Sequence, residues 1–160
     1  MNAIVEFFKA NFTKEMAVIL ISMLPIIELR GAIPIAMSMG MTYKKSFLLS
    51  FVGSSIPAIL IVYLIGYIFK LLRKINFFDR FILKISEKTL SKRDQIDKYG
   101  YFGLYLFVAI PLPGTGVWTG SLLSYLLEMN KPKAVLAVVL GNLTAGIIVT
   151  AISGGIMSLV

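Results

Sequence analysis

Glu28 and Arg30 carry the only charges in an otherwise apolar stretch over residues 16–40. A charge at the centre of a membrane helix costs about 2.5–3.5 kcal/mol, so each is expected to face protein or water and to have a partner. A carboxyl in such a place can take up and release a proton as solvent access alternates, whereas arginine stays charged and can hold phosphate or carboxylate in a bidentate fork. On an ideal helix residues i and i+2 diverge by about 200°, which keeps the two from sharing a site. Pro25, Gly31 and Pro34 imply an extended tip in which they point to one side. The plainer alternative is an ion pair that only fixes packing.

The second unusual stretch is Pro111-Leu-Pro-Gly-Thr-Gly-Val-Trp-Thr-Gly120. Pro111 and Pro113 break a helix, while Gly114 and Gly116 let the backbone turn, so a helical arm that restarts here offers unpaired N–H groups to an anionic group. Thr115 and Thr119 add hydroxyls, and Trp118 can stack on or close over a ligand. Asn142 is either a polar helix-to-helix contact or part of the cavity lining. The glycines Gly53, Gly66 and Gly141 fit close helix packing better than ligand contact.

The composition sets the class. Of 160 residues, 58% are hydrophobic and 15% charged, too apolar for a soluble domain of this size. Cysteine and histidine are absent, so a disulfide framework, a thiol nucleophile and a Cys/His metal site are excluded. No metal, cofactor or enzymatic activity is expected. The net charge of +8 does not point to nucleic acid, because nine of the sixteen basic residues crowd between Lys70 and Lys98 beside the longest charge-free span. That is the positive-inside pattern of a multi-pass protein of the inner (cytoplasmic) membrane. The N-terminal stretch is interrupted by Glu6, Lys9, Lys14 and Glu15 and does not read as a signal peptide.

Four apolar segments must position these groups. Residues 46–69 and 134–160 carry no charge and are long enough to span about 30 Å of hydrocarbon. Residues 16–40 and 99–127 are broken near the middle into arms of about ten residues, or roughly 15 Å, half a bilayer. Shifting the chain by 88 positions without a gap pairs Pro25 with Pro113, Met41 with Met129, Lys45 with Lys133, Gly53 with Gly141 and Ser54 with Asn142. The expected fold is therefore an all-α integral membrane protein, a single membrane domain over residues 1–160 built from two inverted repeats. Each repeat, about 1–72 and about 73–160, comprises an amphipathic helix, a re-entrant helical hairpin and one spanning helix. Re-entrant hairpins put both termini outside the cytoplasm, and fully crossing hairpins put both inside. Residues 75–98, with Phe78, Phe81, Ile82 and Ile85 near one face, are expected to form a basic amphipathic helix on the anionic cytoplasmic leaflet.

The string Glu-Leu-Arg-Gly-Ala-Ile-Pro within Leu24 to Pro34, followed by Pro111-Leu-Pro-Gly-Thr-Gly, resembles the bacterial and archaeal family named putative small multidrug export proteins, over nearly the whole chain. More distantly the sequence is similar to the DedA superfamily. That similarity implies two re-entrant hairpins and proton-coupled movement of phosphorylated or other lipids, with Pro25 and Glu28 matching its proline-rich hairpin that ends in an acid. The arginines usual around the second DedA Pro-Gly are replaced here by Ala109, Ile110 and Trp118, which leaves Arg30 to supply the positive charge. The expected function is a proton-coupled secondary transporter for a small amphiphilic or anionic-headgroup substrate, working as a homodimer among membrane lipids. A cationic drug exporter and a non-transporting membrane scaffold are the alternatives.

Overall fold

The computed structural model describes residues 2–72, 84–91, 94–97, 99–112 and 114–157. The described residues form helices and their connections: α1 (Asn2–Asn11), α2 (Lys14–Met23), α3 (Glu28–Ser38), α4 (Tyr43–Leu72), α5 (Asp94–Asp97), α6 (Gly100–Ala109), α7 (Val117–Leu126) and α8 (Lys131–Met157), with residues 84–90 also helical. Much of the expected amphipathic helix over 75–98 lies outside the described residues.

Helices α4 and α8 are long and apolar enough to cross a membrane, with mean hydropathy of 2.2 and 2.3. Large apolar side chains along both stay exposed, among them Leu48, Leu60, Leu64, Leu136 and Ile147. Two such helices mark a membrane protein, because that much exposed apolar surface is covered by lipid rather than water.

The broken segments divide as their prolines dictate. A residue before proline is pushed out of the helical region, and both first arms end on such a residue: Leu24 at φ −72°, ψ 135° before Pro25, and Ile110 at φ −80°, ψ 118° before Pro111. The arms α2, α6 and α7 are ten residues long and α3 is eleven.

The chain gathers into two compact units, residues 1–57 with 142–160, and residues 58–141. The first holds α1, the α2–α3 pair and the parts of α4 and α8 nearer the termini; the second holds the remaining parts of both long helices, residues 84–90, and the α6–α7 pair. In the first, α2 and α3 pack together around Ala17, Ile21, Ile27 and Ala32, while Leu29, Ile33 and Met37 pack against Phe47, Phe51 and Val149. The pair is antiparallel: Lys14, which opens α2, donates from Nζ to the carbonyl of Met39, just past the end of α3. In the second, Leu104, Phe107, Val108, Val117 and Leu123 of the α6–α7 pair pack with Ala58, Val62, Ala134 and Val138. It too folds back, with the Tyr101 hydroxyl accepting from the N–H of Asn130.

Candidate functional site

In the first unit the break lies at residues 24–27, earlier than Gly31 and Pro34 imply. Helix α3 starts at Glu28 and contains both residues. The extended tip expected around Glu28 and Arg30 is replaced by a tight turn in which the carbonyl of Leu24 accepts from the N–H groups of Ile27 and Glu28. Gly31 serves this turn, since a Cβ there would lie 2.6 Å from Cγ2 of Ile27. Pro34 is exposed inside the helix and has no N–H to offer the carbonyl of Arg30, four residues back.

Glu28 is the unusual residue of this turn. Its backbone is left-handed, at φ 50°, a region that costs a residue with a Cβ about 1–2 kcal/mol. Its side chain is buried at 8% exposure. Arg30 is partly buried, and the Glu28 charge acts on its guanidinium. The two residues expected to act together therefore lie in the first turn of one helix, α3, rather than on an extended strand.

Asn142, on α8, is a helix-to-helix contact within this unit. Its Nδ2 donates to the hydroxyls of Ser54 at 2.7 Å and Ser55 at 3.2 Å on α4.

The other expected site residues belong to the second unit. Gly114 and Gly116 have φ of 77° and 130°, and Gly116, at ψ −172°, occupies a region open essentially to glycine alone. Among the described residues no side-chain hydrogen bond caps α7 at this end. The Thr115 hydroxyl lies 3.0 Å from the carbonyl of Ile110 and 2.8 Å from that of Leu112, which ties it to the loop that begins at Pro111. Pro113 lies outside the described residues.

Gly114, Trp118 and Thr119 line a cavity of about 380 Å³, with Ile61, Ile65 and Phe69 of α4, Leu122 of α7, and Ile85, Lys88 and Thr89. The lining is mostly apolar, with Lys88, Thr89 and Thr119 as its polar residues. Sequence reasoning missed Lys88 and Thr89 because it treated the basic connecting segment as a membrane anchor. The signal available was an amphipathic pattern that carries a threonine and a lysine beside Ile85. Among the described residues no group of three or more acidic residues could hold a metal ion.

Fold and site together define a small, all-helical membrane protein with two long apolar helices and two half-length helical pairs, one of which carries buried charge at its turn. The chain belongs to the family described as Putative small multi-drug export protein, which matches residues 28–148, from Glu28 into α8. No curated protein and no solved structure matches it.

Proposed function

We propose that the protein is a secondary transporter of the inner membrane that uses protons to move a small amphiphile with an anionic head group. The observation that carries this reading is Glu28, a carboxyl buried on left-handed backbone at the break of a half-length hairpin. Ionisable groups and broken helices at membrane depth are the usual marks of a transport site, and strain of this kind persists where function keeps it. Glu28 binds and releases the coupling proton. Within the second unit, Lys88 offers a cation to an anionic group and the apolar cavity it lines fits a hydrocarbon portion; within the first, Arg30 offers a cation two residues from Glu28. This favours an anionic amphiphile, whether a DedA-like lipid or a small molecule, over a cationic drug.

The reading takes both pairs as re-entrant hairpins in two inverted repeats. Arms of ten or eleven residues reach about 15 Å, half the hydrocarbon core, and each second arm ends beside the start of the first. The ends of the second arms correspond at an interval of 88 residues. Gly40 and Glu128 are both left-handed. Each closes the same cap, with Met41 N–H on Ala36 and Gly40 N–H on Met37 in one, and Met129 N–H on Ser124 and Glu128 N–H on Tyr125 in the other. The next helices also start alike, Thr42 Oγ1 accepting from Lys45 N–H and Asn130 Oδ1 from Lys133 N–H. One spanning helix per repeat gives the repeats opposite orientations. Two spanning helices enclose little volume, so a second copy of the chain is the partner assigned to complete the protein.

The test is reconstitution of the pure protein in vesicles with a fluorescent single-chain phosphate amphiphile. An imposed proton gradient is expected to drive its movement. Movement of a cationic dye with none of the anionic probe would overturn the substrate assignment, and movement of neither would overturn transport.

A further inference from the structure

Helix α4 carries Ser46, Ser50 and Ser54 one turn apart, and all three are 0% exposed. Ser54 is held by Asn142, but the hydroxyls of Ser46 and Ser50 have no hydrogen-bond partner among the described residues. A buried hydroxyl left in this state costs about 1–3 kcal/mol, so the row is an expensive way to fill space. The positions 88 residues further on, where α8 is buried in the other unit, are Ala134 and Val138, which fill space without that cost. Ser86 and Ser121 also lack partners, but they lie on separate elements and form no row.

The row has two defined ends. Beside Ser46, Lys45 pairs with Glu15 of α2, both about half exposed. Eight residues on, or about 12 Å along the helix, Ser54 stands next to Gly53, whose missing side chain lets Ile19 and Ser22 of α2 approach the α4 backbone. Two residues beyond Ser22 is Leu24, whose carbonyl accepts the N–H of Glu28 at 2.9 Å. The buried hydroxyls thus run from an exposed charged pair toward the turn at which Glu28 opens α3, all within one compact unit.

We propose that Ser46 and Ser50 bind internal water and form a proton path along α4 from the Glu15–Lys45 end to Glu28. The inference rests on the reading of Glu28 as the proton carrier. Water needs two to four polar partners to stay inside a protein, and stacked hydroxyls one turn apart supply them at both sides of each molecule. A proton entering at Ser46 is passed on as each hydroxyl accepts one hydrogen bond and donates another. Every hydroxyl is unchanged afterwards, and the proton ends on a carboxylate oxygen of Glu28.

The chain has no cysteine, so Ser46→Cys and Ser50→Cys each give a single thiol at nearly unchanged volume. In vesicles both are expected to react with a small cationic thiosulfonate at least about tenfold faster than Ala134→Cys and Val138→Cys, because a hydrated thiol ionises and a dry buried one does not. Equal inertness of all four would overturn the path. Ser46→Ala with Ser50→Ala gives a second test that does not depend on a thiol. A hydrated row loses proton-driven uptake while substrate exchange without a gradient persists, whereas a dry row gains thermal stability and keeps its uptake. If the unsubstituted protein transports and the thiols are inert, the path falls and the transporter stands. If the thiols react and nothing is transported, the row is wet, and its proton role falls with the transporter.

Discussion

Asn142 donates a hydrogen bond from Nδ2 to the hydroxyl of Ser54 at 2.7 Å, and the two residues stand 88 positions apart. The same interval relates the Gly40 and Glu128 caps. The bond joins α4 to α8 within the first compact unit. Interhelical hydrogen bonds in membranes couple by about 0.6 kcal/mol on average and about 1.7 at most. A double-mutant cycle on Ser54→Ala and Asn142→Ala should return a coupling in that range. Additive losses would mean that the pair contributes no interaction of its own.

Glu128 and Gly40 make opposite predictions at equivalent caps. The left-handed backbone of Glu128 carries a cost that glycine avoids, so Glu128→Gly should raise thermal stability by about 1 kcal/mol. Gly40→Ala should lower it by a similar amount. Unfolding of the purified variants in detergent checks both signs, and a loss in Glu128→Gly would show that its carboxylate holds more than the cap.

Close packing separates the helical glycines. A Cβ on Gly53 would collide with the Ser22 hydroxyl and the Ile19 carbonyl, and one on Gly141 would lie 2.7 Å from the Tyr105 carbonyl. Alanine at either should cost about 1–3 kcal/mol through overpacking. A Cβ on Gly155 meets nothing within 4 Å, so Gly155→Ala should change stability by less than about 0.5 kcal/mol.

Much of this was legible in the sequence because proline and glycine act locally. Pro25 and Pro111 end α2 and α6 wherever the rest of the chain goes, so the half-length arms could be counted before any packing was known. The register between halves was less legible. A gapless shift of 88 pairs Pro25 with Pro113, yet Leu24 before Pro25 and Ile110 before Pro111 hold matching roles 86 apart. The glycine contacts agree, Gly53 meeting Ile19 and Gly141 meeting Tyr105. The second hairpin has the longer connection at its tip, and an apolar alphabet hides that difference. Gly31 and Pro34 misled in the other direction. Both are helix breakers by propensity, but packing of α3 against α2 and Phe47 keeps them helical. The cavity beside Lys88 was invisible because it joins α4, α7 and residues 84–90, from Ile61 to Leu122 along the chain.

If the hairpins are re-entrant, as proposed above, each repeat crosses once and both termini lie outside the cytoplasm. Tags at each end should be labelled in intact cells by impermeant reagents from the outer face. Labelling of the C-terminus only from the cytoplasmic side would leave four full crossings and remove the inverted repeat.

The central claim is that Glu28 carries the coupling proton and Arg30 recognises an anionic group. Arg30→Lys keeps the charge and loses the fork, so it should weaken substrate binding while leaving coupling in place. A purely structural pair behaves differently: removing one partner costs about 3–5 kcal/mol, and the apolar double replacement restores stability. The most direct measurement is proton-driven uptake set against gradient-free exchange, with thermal stability, on purified Glu28→Gln in vesicles. Glu28→Gln should be a folded protein that still exchanges substrate but no longer accumulates it under a proton gradient. Full gradient-driven accumulation by Glu28→Gln, or by Glu28→Gln combined with Arg30→Met, would contradict the central claim.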